Sequence, residues 1–246
     1  MGMIYDKTVK DIIREYVENE LEDGGSFSTR DILTWFNNNY PRIKEGTIRA
    51  HLALLSVNAK SRIHYNLHSD GSDDILFQID RGNYRKFDPS ENYKPIYKNE
   101  DIDTDVEDIE DIEEEDKVTF SYEKDLQFFL SQNLNKIEDG LSLFEDGDVN
   151  GIEYPVGGRF VDILAVDRNN NLVVIELKAS RGHEKVIGQL LRYMAWLKKN
   201  QAEENQKVRG MIVCNKLSTD LKLACSIVPD ISLYEYDLSV TLRRIN

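Results

Sequence analysis

Two apolar runs, Gly158–Asp167 and Leu172–Lys178, separated by Arg168-Asn169-Asn170-Asn171, constrain this chain more than any other feature. Apolar runs around a polar turn predict a β-hairpin. Each run carries charge where a buried strand should have none: Asp162 in the first, Glu176 and Lys178 in the second. Alternation along a strand sends Glu176 and Lys178 to one face, and Asp162, across the hairpin, is expected to reach that face too. Burying charges costs several kcal/mol unless they are paired or bind a metal, so the spacing predicts a site rather than plain core.

The donor types point to metal-assisted hydrolysis. Asp and Glu are hard oxygen ligands suited to Mg²⁺, which keeps several waters and takes only one or two carboxylates from a protein. A lysine beside such an ion can orient or deprotonate a bound water and neutralise charge building on a phosphate. Asp162 followed by Glu176-x-Lys178 on the next strand resembles the PD-(D/E)xK nuclease superfamily. The wording around it, Gly158-Arg-Phe-Val-Asp-Ile-Leu-Ala-Val-Asp167, then Val173-Val-Ile-Glu-Leu-Lys178, then Gln189-Leu-Leu-Arg-Tyr193, is similar to the C-terminal nuclease domain of NucS-type endonucleases. The resemblance implies Asp162 and Glu176 as metal ligands with the Leu177 carbonyl, and Lys178 as the residue that positions the attacking water. It also implies a supporting role for Gln189, and a water-mediated one for Glu123, whose other reading is a first-turn glutamate favoured by the helix dipole. Mg²⁺ is the expected cofactor, with Mn²⁺ as a substitute. Glu153 also matches an acidic position of that pattern, but reads here as an exposed strand residue.

Charge is distributed unevenly. Residues 99–117 carry one basic and twelve acidic side chains out of a net −14, and the blocks on either side are close to neutral. A pI near 4.8 therefore does not argue strongly against a nucleic-acid partner, since binding depends on local patches. The acidic run reads as a solvated linker or as a DNA mimic resting on a basic surface, in which case deleting 100–116 would tighten DNA binding. No apolar run has transmembrane length, and the start lacks a signal-peptide pattern. Cys214 and Cys225 fit no metal spacing and read as free thiols in a reducing, cytoplasmic setting.

The N-terminal block shows helical periodicity over Asp6–Leu21 and a second helix capped by Ser28 with Asp31. A third begins near Lys44–Thr47 and carries Ile48, His51, Leu52, Leu54 and Leu55. Two strands are expected, Arg62–Leu67 and Ile75–Ile79, joined by the turn-rich 68–73. Three helices and a hairpin are the order of a winged helix-turn-helix, whose third helix would enter the DNA major groove. Thr47, Arg49, Asn58, Lys60 and Arg62 are then the exposed candidates for DNA contact. Arg81-Gly-Asn-Tyr-Arg-Lys-Phe-Asp-Pro89 resembles the tail of winged-helix domains fused to restriction-type nucleases.

Beyond the acidic run, a helix is expected from Tyr122, then strands near 141–144 and 151–156 before the hairpin. A loop over 179–183, a helix over 184–199, a strand at 211–214, a helix over 220–226 and a last strand at 231–236 follow. Arg159, Arg181 and Lys185 are candidates for phosphate contact. The expected architecture is an α/β restriction-endonuclease-like core over 118–246, a linker over 99–117 and a winged-helix domain over 1–98. The expected function is Mg²⁺-dependent DNA cleavage of restriction type, with the winged helix reading sequence or base modification. The alternatives are a NucS-like repair endonuclease acting on mismatched, branched or single-stranded DNA, and a non-catalytic DNA-binding regulator. Double-strand cleavage would call for a homodimer, and no membrane partner is expected.

Overall fold

The structure, a computed structural model, describes residues 5–22, 24–97, 114–182, 185–237 and 243. Most of the acidic run, residues 99–113, thus lies outside the described residues, as does His183.

The N-terminal block opens with α1 (Val9–Asn19), capped by Thr8, whose hydroxyl accepts from the Asp11 amide. A short β1 (Ser26–Ser28) leads into α2 (Thr29–Asn39), where Ser28 and Asp31 close the expected capping box. Then come α3 (Glu45–Leu55), β2 (Leu76–Asp80) and β3 (Asn83–Lys86). β3 lies between β1 and β2 in a three-stranded antiparallel sheet.

The expected hairpin is misplaced. Residues 60–64 form a 3-10 turn, and β2 pairs instead with β3 across Arg81-Gly82, where Gly82 takes φ 107°. That left-handed backbone needs a glycine, and it was the stronger turn signal of the two. Arg62 cannot be an exposed strand residue: it is fully buried, and its Nη2 donates to Asp74 Oδ1 at 2.7 Å.

The C-terminal half begins with α4 (Glu114–Ser131), which starts inside the expected linker, eight residues before Tyr122. β4 (Ser142–Leu143), β5 (Glu145–Asp146), β6 (Val149–Asn150) and β7 (Ile152–Val156) follow as short pieces. The hairpin strands are β8 (Arg159–Val166) and β9 (Leu172–Gly182), followed by α5 (Lys185–Asn200), β10 (Val208–Leu217), α6 (Thr219–Cys225) and β11 (Ile231–Glu235). The expected loop after Lys178 is instead a continuation of β9, because β10 pairs parallel with it as far as Leu217↔Gly182.

The sheet order is β11-β10-β9-β8-β4, with β7 also antiparallel to β8. β8 and β9 are antiparallel, while β9, β10 and β11 run parallel. This mixed sheet, flanked by helices, is a restriction-endonuclease-like core. Leu190, Leu197 and Leu221 of α5 and α6 cover one face, and Leu126 and Leu130 of α4 cover the other.

The two halves are not separate beads. One buried cluster runs from Ile12, Ile32 and Leu52 through Tyr154 and Val161 to Leu190 and Leu197. Thr47 Oγ1 donates to Asp146 Oδ2 at 2.6 Å, the Asn66 amide donates to the Asp148 carbonyl at 2.9 Å, and Lys10 Nζ lies 2.8 Å from both Asp73 and Asp148. The consequence for α3 is large. Its residues are all buried or half-buried, so the helix expected to enter the major groove is covered on its Thr47–His51 side by the C-terminal half.

Candidate active site

Pairing between β8 and β9 runs from Val166↔Leu172 to Ile163↔Ile175 and stops one step short of Asp162 and Glu176. The strands separate there, and the backbone groups that would have continued the ladder turn to side chains. The Leu177 amide donates to Asp162 Oδ2 at 2.7 Å, and the Ala179 amide donates to Glu123 Oε1 at 3.0 Å. Carboxylates thereby replace carbonyl partners on β9, which fixes both acids relative to the strand.

Glu176 is 1% exposed. Its Oε1 accepts from Lys178 Nζ at 3.3 Å and from Gln189 Nε2, whereas its buried Oε2 has no hydrogen-bond partner among the described residues. Burial, reinforced by the neighbouring Asp162 charge, pushes the Glu176 carboxyl up to about 8. Burial likewise raises Asp162 to about 6, although Lys178 and the Leu177 amide oppose the shift. Burial works against the Lys178 ammonium, but the carboxylates of Glu176, Asp162 and Glu123 outweigh it and hold the group above its ordinary value. Lys178 Nζ lies 3.9 Å from Glu123 Oε2.

The structure thus brings together Asp162, Glu176, Lys178, Glu123 and Gln189, with Leu177 between the last two residues of the strand motif. Glu123 is not a first-turn residue, since α4 starts at Glu114, so a helix-dipole role does not apply. Gln127 and Tyr236 escaped the sequence reading, and Tyr193 and Glu153 were given no part in the site. Gln127, one helical turn after Glu123, donates from Nε2 to the Asp162 carbonyl at 2.8 Å; its i, i+4 spacing was a usable signal. Tyr193 accepts at Oη from Gln189 Nε2 at 3.1 Å. Tyr236 Oη donates to the Ala179 carbonyl at 3.1 Å. Glu153 is only half-exposed, has φ 46°, and faces Asp162 in the β7–β8 register, with its Oε2 3.8 Å from His64 Nε2. Because Gln189 is tied to both Glu176 and Tyr193, Gln189→Ala is expected to weaken the affinity of these carboxylates for a divalent cation about 10- to 100-fold. Calorimetric titration with Mg²⁺ and Mn²⁺ would check this; wild-type affinity in the variant would rule it out.

The DNA-contact candidates scatter. Thr47 and Arg62 are buried, and Asn58 spends both ends of its amide on the Gln78 backbone. Arg49 is half-buried and donates to Glu45 Oε1 at 2.8 Å, while Lys60 is exposed in the 3-10 turn. Arg159 and Lys185 are exposed at the starts of β8 and α5, and the Arg181 side chain lies outside the described residues.

A buried acid, a half-buried acid and a lysine gather at a sheet break on a restriction-endonuclease-like core. Residues 122–228, which hold every residue of the site except Tyr236, match the Endonuclease NucS C-terminal domain. Residues 8–86 match a domain of unknown function, DUF7669. The chain is 37% identical over 101 residues to the endonuclease NucS of Pyrococcus furiosus, covering 41% of this chain and 34% of that protein. It is 32% identical over 97 residues to the endonuclease NucS of Methanocaldococcus jannaschii, covering 39% and 34%. A solved repair endonuclease from Pyrococcus abyssi is similar at 25% identity and a TM-score of 0.39, over 52% of this chain and 50% of that one. The chain spans about a third of the length of the curated relatives it matches.

Proposed function

We propose that this chain is a metal-dependent DNA endonuclease of the NucS kind, hydrolysing phosphodiesters in mismatched, branched or single-stranded DNA. One observation carries the reading: the orphaned Glu176 Oε2, buried beside Asp162 and Lys178. Two carboxyls held near each other, one with an unused oxygen, form a donor set that fits a divalent cation. Among the described residues no group of three or more His, Cys, Asp and Glu side chains is arranged to hold a metal. Mg²⁺ does not need one, since it takes one or two carboxylates and keeps water for its other positions.

Asp162 and Glu176 would hold the ion, with the Leu177 carbonyl as a backbone ligand. A bound divalent ion supplies a more acidic water and a Lewis acid for the phosphoryl oxygen. Lys178, held charged by three carboxylates, orients that water and faces the charge that grows on the phosphate. Gln189 fixes the Glu176 rotamer, and Glu123 braces Lys178 from α4.

The matched relatives favour repair over the restriction-type reading. The element order of residues 9–86 supports a winged-helix reading of the N-terminal block, but with α3 covered it would not read bases through that helix. A second copy would supply the second site that double-strand cleavage requires. The test is Mg²⁺- and Mn²⁺-dependent cleavage of a DNA panel (paired, base-modified, mismatched, forked and single-stranded), with Glu176→Ala alongside. Cutting of the non-paired substrates, absent in the variant, is the expected result. Paired nicks at fixed spacing in fully paired or modified duplex would restore the restriction reading. Tight binding without any cutting would point to a regulator.

A further inference from the structure

With α3 covered, a basic concavity lies elsewhere in the N-terminal block. It is an open groove of about 660 Å³ walled by α2, by Arg49 of α3 and by the β2–β3 turn, and it holds three guanidinium groups: Arg30, Arg49 and Arg81. Ser28, Thr29, Asn37 and Asn83 add neutral donors around them. The α2 amides themselves are not the attraction, because Ser28 and Asp31 already close that terminus. Arg30 is exposed, and its guanidinium makes no ion pair or hydrogen bond with any described residue. Arg49 spends one N–H on Glu45, and Arg81 spends one on the Gly158 carbonyl, which leaves most of their donors open. In an N-terminal block that is close to neutral, three arginines converging on one groove make a local positive patch.

The Arg81–Gly158 contact ties this groove to the catalytic hairpin. Gly158 is the residue before β8, and Asp162 follows four residues later. At the rise of a strand, that separation is about 13 Å. Exposed Arg159 begins the strand between them. Nucleotides advance roughly 3.4 Å along one strand of a duplex, so the groove lies about four nucleotides from the scissile position.

We propose that the Arg30–Arg49–Arg81 groove binds a backbone phosphodiester of the nucleic-acid substrate about four nucleotides from the cut, and so sets the strand on the path to Asp162. The proposal rests on the nuclease reading for its distance to the cut, but not for binding. The arginines address phosphate charge, so the contribution is sequence-independent and salt-dependent.

The test is fluorescence anisotropy of full-length protein on a labelled 20-base-pair DNA duplex in EDTA, over a salt series. Arg30→Ala alone should make the slope of log K against log salt shallower by about one, and the Arg30→Ala/Arg81→Ala pair by about two. Arg30→Lys should restore the slope. Arg168→Ala, a charge-matched change in the turn at the other end of β8, should leave it unchanged. The single Arg30 variant keeps the test decisive if loss of Arg81 disturbs the Gly158 turn. Unchanged slopes in both arginine variants would overturn the proposal, as would a wild type that binds no DNA. Shifted slopes in a protein that cuts no substrate with metal would uphold the groove and remove the nuclease reading instead.

Discussion

Glu176→Gln is expected to lower metal-dependent cleavage roughly 10²- to 10³-fold or more, while making the metal-free protein more stable at alkaline pH. The first effect follows from the proposed role: the variant loses the carboxylate charge assigned to hold the ion, whose neighbours Gln189 and Lys178 are arranged around it. The second follows from burial. In the unfolded chain Glu176 titrates at its ordinary 4.5, and in the folded protein near 8. A folded carboxyl raised in this way is at no disadvantage below about 4.5, where both states are protonated. Between 4.5 and 8 the unfolded state gains by ionising and the folded state does not, so stability falls with rising pH and levels off above about 8. Glutamine removes the ionisation, so the melting-temperature gain should be small at pH 5 and larger at pH 8.5. Lys178 is not stranded by the change, because Asp162 and Glu123 still face it. Mg²⁺ should raise the melting temperature of wild type at pH 8.5 and leave the variant where it was. Melts in EDTA and in Mg²⁺ at the two pH values, run beside a cleavage assay, check both halves. A variant no more stable than wild type at pH 8.5 would mean that the buried charge is compensated by something other than a bound cation.

The site was legible in the sequence because its residues break a rule. Asp162, Glu176 and Lys178 interrupt apolar strands, and such interruptions are visible without structure. α2 was legible for the same kind of reason, since the capping box of Ser28 and Asp31 is a local device written in adjacent residues. What failed was non-local. Arg62 and Thr47 look like surface residues by type, and only the partners brought by the fold, Asp74 and Asp146, make them interior. The β2–β3 pairing was hidden by a longer turn-rich stretch at 68–73, although Gly82 marked the true turn. Lys10 is a further case: a helix lysine buried by acids that lie 63 and 138 residues away in the chain.

The contrast between type and environment sets up the second large effect, on stability rather than catalysis. Asp74→Asn is expected to destabilise the protein by about 3–5 kcal/mol, whereas Arg62→Met should be close to neutral. Arg62 is fully buried, lies 5.3 Å from the Tyr97 ring centre, and keeps two of its nitrogens, Nε and Nη1, without hydrogen-bond partners among the described residues. Among the described residues its compensating charge is Asp74, which also accepts from Tyr97 Oη at 2.6 Å. Removing the carboxylate leaves a guanidinium buried and uncompensated, and arginine cannot escape by losing its proton. Removing the arginine instead deletes two unpartnered nitrogens along with the paired one, and methionine fills much of the same space. Asp74, 12% exposed, can still reach water and keeps its tyrosine. For a chain of this length the Asp74 variant should melt on the order of 10 °C lower. Arg62→Met should also leave the salt dependence of DNA binding unchanged, since a buried side chain releases no counterions from a phosphate. Thermal denaturation of both variants and a salt titration of the second would decide it. A methionine variant that loses DNA affinity while keeping its melting temperature would return Arg62 to the binding surface.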